Sequence, residues 1–151
     1  MRCNAGVPPS ILTDQHLIAE YRELMIPVGQ LKSLGWQTKT PIPEKLALGK
    51  GHVSFWRDKQ IYLKRRHEGL VKEMKKRGFQ VNYSFFDLST IPERWVGDWQ
   101  PSAEDSYLLR SRIWERFLDK PEWYRWHGKP LLDVMSVKGY EKALFNAPIV
   151  L

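Results

Sequence analysis

The stretch TDQHLIAEYREL, Thr13 to Leu24, carries two stripes at helical spacing. Leu17, Tyr21 and Leu24 recur at i, i+4 and i+7, the spacing of a buried helix face. His16, Glu20 and Glu23 recur with the same spacing beside them, flanked by Gln15 and Arg22. Thr13 or Ser10 can cap such a helix by accepting one of its unpaired N–H groups, and Asp14 suits its positive pole. The pattern predicts a helix from there to about Ile26, ended or kinked at Pro27 and Gly29. Periodicity leaves the polar stripe open between a solvated face and a site.

On either side the signals are of helices separated by loops. Residues 1 to 12 hold Gly6, Pro8 and Pro9 and are expected to be extended. Residues 36 to 53 read as loop, with a short helical turn near Glu44 to Ala47 and LGKGH, Leu48 to His52, as a turn. Phe55 to Arg77 gives the clearest helix, with Tyr62, Leu63, Leu70, Val71 and Met74 as its core stripe. KKRGF closes it: three cations suit the negative pole, and Gly78 suits the left-handed position with Phe79 folding back. SAED, Ser102 to Asp105, resembles a capping box and predicts a third helix to about Asp119, stopped by Pro121. A weaker helical signal covers Tyr140 to Phe145. There is no convincing alternation for strands. The expected fold is mainly α, one domain over 1–151 with three main helices, long loops and an extended N-terminus. Residues 131 to 151 form a C-terminal extension without an assigned role.

The chain of 151 residues has a formal charge of +7, and 13% of its residues are aromatic. The pI near 9.6 favours a polyanionic partner. Between Arg57 and Arg77 stand nine Lys or Arg against three Asp or Glu. Arg112 and Arg116 are i, i+4 neighbours on one helix face, with Arg110 nearby. WYRWHGK interleaves Arg125, His127 and Lys129 with Trp123, Tyr124 and Trp126, a mixture that suits phosphate contact and base stacking as well as core packing. Cys3 is the single cysteine, so no internal disulfide forms. The N-terminus has no apolar signal segment, and no run reaches the ~20 apolar residues of a membrane span. The reading is a cytoplasmic, monomeric protein without a membrane partner. There is no P-loop and no G-x-S-x-G, and the four histidines and Cys3 lack metal-ligand spacing. No metal and no cofactor is expected.

TDQHLIAEYREL, LGKGHVSFWRDKQIYLKRR, KKRGF, IPERWVGDWQP and PEWYRWHGK, in this order, closely resemble the pyrimidine-dimer DNA glycosylases of the phage endonuclease V type. The resemblance covers roughly residues 1 to 130. It implies a helical domain that binds damaged double-stranded DNA and flips a nucleotide out of the stack. It implies cleavage of a glycosidic bond at a cyclobutane pyrimidine dimer, then strand scission at the abasic site. It also implies action in a bacterial or phage-infected cell, at the nucleoid. The family nucleophile is the N-terminal α-amine, which forms an imine with the sugar, and a first-helix glutamate is essential. Here the matching glutamate is Glu23. Arg2, Gln15, His16, Arg22, Arg112, Arg116, Trp123, Tyr124 and Arg125 are the expected DNA-binding residues. Glu20 is expected to be a helix-surface or structural ion-pair residue.

An amine must be neutral to attack. At neutral pH roughly a tenth of an ordinary α-amine is neutral, against well under about a thousandth of a lysine. An N-terminus therefore starts roughly hundreds of times ahead. A carboxylate beside it can stabilise the cationic imine and move protons during ring opening and β-elimination. Two departures from the family stand out. Arg2 disfavours removal of Met1, and RCN, Arg2 to Asn4, fits the family pattern when Met1 itself carries the amine. The spacing to Asp14 then differs by one residue, to be absorbed within Gly6 to Pro9. After Leu24 the family has a phosphate-contacting arginine where this chain has Met25 and Ile26. These departures keep two alternatives in play: a glycosylase for another damaged or modified base, and a non-catalytic DNA-binding module.

Overall fold

Thr13 caps the first helix, its hydroxyl accepting from the His16 N–H at 3.2 Å. In the computed structural model, which describes residues 1–151, this helix is α1, Asp14–Glu23. Its Leu17, Tyr21 and Leu24 are buried as the periodicity predicts. The helix stops sooner than expected. Leu24 and Met25 form a turn, and a second helix, α2, runs over Ile26–Ser33. Pro27 therefore begins a helix rather than ending one; in a first turn its missing N–H has no partner to lose. Val28 and Leu31 of α2 pack with Ile91 and Trp95 in a small satellite core.

LGKGH is likewise more than a turn. Gly49, at φ +77°, precedes a short helix α3, Lys50–Trp56. The single long helix expected over 55–77 is broken at residues 57–59, and α4 covers Gln60–Lys76. The break admits another backbone. The Gly97 N–H donates to the Asp58 carbonyl, and the Ile61 N–H donates to the Gly97 carbonyl, both at 3.0 Å. A Cβ on Gly97 would lie 2.3 Å from the Asp58 oxygen, so only glycine allows this approach. The end of α4 follows the sequence reading. Gly78 has φ +80°, and the Phe79 N–H reaches the Met74 carbonyl at 2.9 Å.

The capping box at Ser102 and Asp105 is formed in both directions and starts α5, Ala103–Asp119. A two-residue hairpin follows, with β1 (Arg125–Trp126) antiparallel to β2 (Lys129–Pro130). His127 and Gly128 both have positive φ at its tip, as a twisted two-residue turn requires. Asp14 holds that tip, accepting from the backbone N–H groups of His127 and Gly128 at 3.0 and 2.8 Å.

Residues 131–151 are part of the same core. Helix α6, Val137–Asn146, packs on α5 and buries Tyr140 and Leu144. Arg110 is not a free cation of the α5 surface. It is buried and donates to the carbonyls of Gly6, Leu144, Ala147 and Pro148. The Val150 N–H adds a bond to the Gly6 carbonyl at 3.0 Å. The two chain ends are thereby pinned together. The fold is mainly α: six α-helices and a two-stranded hairpin. No helix is long and apolar enough to cross a membrane.

Candidate active site

The N-terminal segment threads between α1 and the core. Its side chains alternate as on a strand. Cys3, Ala5 and Val7 are fully buried among core residues, and the Met1 side chain is also inaccessible. Arg2 and Asn4 face the polar stripe of α1 instead. Arg2 Nη1 donates to Glu23 Oε1 at 2.8 Å, and Asn4 Nδ2 to Glu20 Oε1 at 2.9 Å. Buried alternate residues thus set the register, and the polar stripe receives the other side. The segment, expected to be extended, is a buried thread that ends in a 3-10 turn at Pro9–Ile11.

This register brings the Met1 amine to 3.8 Å from Glu23 Oε2. That oxygen is buried and accepts no hydrogen bond, although Glu23 as a whole is 26% exposed. One carboxylate oxygen is therefore fixed by Arg2, and the other is unengaged beside the amine. Arg112 contributes a second unfilled group, a buried Nη2 without a partner. Burial first, then the neighbouring Arg116, depresses the Arg112 pKa.

His16 lies in the field of these cations. It is 4% exposed and stacks on Tyr124 at 4.9 Å, with Nδ1 2.8 Å from Thr13 Oγ1. Burial, followed by the fields of Arg2, Arg116 and Arg112, brings its pKa down to about 3. The ring is neutral at working pH. An unfolded histidine titrates near 6.5, so the unfolded chain takes up a proton that the folded ring refuses. The resulting stability is complete above about pH 6.5 and is lost as pH falls toward 3. Between pH 7 and pH 5 this amounts to about 2 kcal/mol. Urea unfolding at the two pH values should give a difference smaller by about that amount in His16→Asn. An equal loss in parent and variant would contradict the assignment.

Of the expected residues, Met1, Arg2 and Glu23 are brought into contact, and His16 and Arg112 lie in the fields of Arg2 and Arg116. Arg22 and Arg116 are exposed. Gln15, Tyr124 and Arg125 lie by the hairpin. The Gln15 amide donates to the Trp123 carbonyl at 2.7 Å and accepts from the Arg125 N–H at 2.9 Å, so it holds the segment that presents Trp123. Trp123 is 59% exposed, whereas Tyr124 is buried and points its hydroxyl at the Arg116 carbonyl. Arg125 is exposed and donates to the Gly128 carbonyl.

Glu20 is not on the surface. It is fully buried and takes a two-point ion pair from Arg66, 2.7 Å from Nε and 3.0 Å from Nη2. Arg66 Nη1 also bonds the Val7 carbonyl. His52 is a further neighbour that periodicity does not single out. Its Nδ1 meets the Ala47 carbonyl at 2.9 Å, and its Nε2 accepts from the Trp56 indole at 3.4 Å. Burial first, then Arg112 and, more weakly, the N-terminal charge lower its pKa to about 4. His52 is thus a neutral ring in the field of the amine.

Chemically, the cluster offers an amine, a carboxylate oxygen without a partner and several arginines. That set suits imine formation at an anionic polymer. A family model, pyrimidine dimer DNA glycosylase, matches residues 4–87, more than half of the chain. The chain belongs to that family, whose activity is glycosylase action on DNA at pyrimidine dimers.

Proposed function

We propose that this member of the pyrimidine-dimer DNA glycosylase family is bifunctional, cutting the glycosidic bond and then the strand, with the Met1 α-amine as nucleophile. The neutral amine attacks C1′ of the damaged nucleotide, and the C1′–N bond breaks with its electron pair leaving on the base. Opening of the sugar ring gives a cationic imine between Met1 and C1′. Loss of a proton from C2′ then expels the 3′ phosphate as the C3′–O bond breaks. Water hydrolyses the imine and frees the amine. Glu23 Oε2 is the group placed to offset the cation and to accept and return protons.

The observation that carries this reading is the 3.8 Å separation of the Met1 amine and an unengaged Glu23 oxygen. The buried Met1 side chain supports it, because a fixed side chain fixes the amine attached to the same Cα. Borohydride reduction on abasic duplex DNA tests the assignment. The adduct should map to the N-terminal peptide; an adduct on an internal lysine would sink it.

A DNA surface at Arg2, Arg22, Arg112, Arg116, Trp123 and Arg125 accompanies the chemistry. Each phosphate neutralised contributes about 0.9 to the slope of log affinity against log salt. Arg116→Gln should reduce that slope by about one contact on undamaged duplex. A slope identical to the parent's would remove Arg116 from the interface.

A further inference from the structure

We propose that Arg57, with Lys39 and Arg94, forms a separate anion site that takes a phosphate group. Arg57 follows α3 at the break before α4, and is 8% exposed. Its Nη1 donates to Thr38 Oγ1 and its Nη2 to Gln30 Oε1, both at 3.2 Å. Both acceptors are neutral. Its Nε is buried with no partner at all. The carboxylate next to it in sequence, Asp58, is engaged by Lys59 at 2.7 Å.

The other buried arginines set the contrast. Arg66 is paired with Glu20, Arg77 with Asp14 and Glu73, and Arg110 is surrounded by carbonyls. A buried charge without a counter-charge is costly. The C-terminal pole of α3 supplies roughly half a unit of negative charge, less than a guanidinium requires. Arg57 faces a cleft of about 530 Å³ lined also by Thr38, Lys39, Thr40 and Arg94, and no carboxylate lines it. Three cations and two hydroxyls on this cleft match the oxygens of a phosphate, which accepts at several points. Arg94 also lies over the Trp95 ring at 4.2 Å, and the Trp95 indole donates to the Trp36 carbonyl. Anion binding there should therefore alter tryptophan fluorescence.

The phosphate can belong to a DNA backbone or to a free phosphate compound, and two arms separate these sources. In the first, inorganic phosphate replaces chloride at constant ionic strength while thermal midpoint and tryptophan emission are followed. The midpoint should climb with phosphate in the parent and stay flat in Arg57→Gln. Lys39→Ala/Arg94→Ala, at exposed positions, should be flat too, which guards against a folding defect at Arg57. In the second arm, undamaged duplex is titrated at several salt concentrations. A slope reduced by about 0.9 per lost contact in both variants assigns the phosphate to DNA. A phosphate response with an unchanged slope assigns it to a free compound. Equal behaviour of parent and variants in both arms overturns the site. Neither arm uses a lesion, so failure here leaves the glycosylase reading untouched.

Discussion

Glu23→Gln should lower turnover on dimer-containing duplex by about 10²–10⁴-fold, the range expected when a positioned acid–base group is removed. Gln is nearly the same size as Glu and can still accept from Arg2 at Oε1. Glu23 is partly exposed and Arg2 is 37% exposed, so the fold should survive. What disappears is the negative charge on the oxygen 3.8 Å from the amine. The loss should differ between steps. On a preformed abasic site the aldehyde is already available, so the amine can still condense and borohydride should still trap the N-terminus. Strand cleavage from the same imine should fall, because β-elimination needs a base at C2′. Equal dimer nicking by Glu23→Gln and the parent would remove Glu23 from the chemistry and favour a DNA-binding module. Equal loss of trapping and cleavage would instead make Glu23 a positioning group for the amine.

Element type was legible wherever a local signal acted locally. The Ser102–Asp105 box, the Gly78 cap and the Leu17, Tyr21, Leu24 stripe need only residues within a few positions of one another, and all three stand as read. The break at 57–59 was not legible, because its cause, Gly97, lies far along the chain. Gly97 inserts its backbone against Asp58, and no periodicity inside LGKGHVSFWRDKQIYLKRR encodes that event. Pro27 is ambiguous for a similar reason: the same fixed φ ends one helix and begins another, and the turn at Leu24 and Met25 decides which.

The candidate site divides along the same line. The family resemblance supplied Glu23 and the arginines, and the register of the N-terminal thread brings several of them together. Polar residues, however, were sorted by charge rather than by partner. Gln15, an expected DNA contact, also bonds the hairpin backbone, a partner that its place in the sequence does not show. Arg110 was counted with the basic helix and is spent on the C-terminal carbonyls. A buried arginine looks identical to a surface one in sequence. At the N-terminus Gly6, at φ +80°, makes a turn, and its carbonyl is clamped by Arg110 and Val150.

Removing one partner of the Glu20–Arg66 pair should be the most damaging substitution for folding. The side chains are 0% and 3% exposed, and each carries bonds beyond the pair, from Asn4 to Glu20 and from Arg66 to Val7. Glu20→Leu strands a buried guanidinium, and Arg66→Met strands a buried carboxylate with one amide donor. Either should cost about 3–5 kcal/mol, because an unpaired buried charge keeps its desolvation penalty and loses its compensation. For a chain of this length that is a thermal shift on the order of 10 °C. The double variant Glu20→Leu/Arg66→Met removes both charges and should cost less than either single change. The pair also tethers Asn4 and Val7, between which the amine-bearing segment turns into the core. The double variant should therefore fold yet trap abasic DNA more slowly, since Asn4 has lost its acceptor and Met1 its fixed approach to Glu23. Urea denaturation of all four proteins, followed by single-turnover trapping on those that fold, separates the two effects. Additive stability losses would show that Glu20 and Arg66 act independently, and unchanged trapping in the double variant would show that the thread holds its register without them.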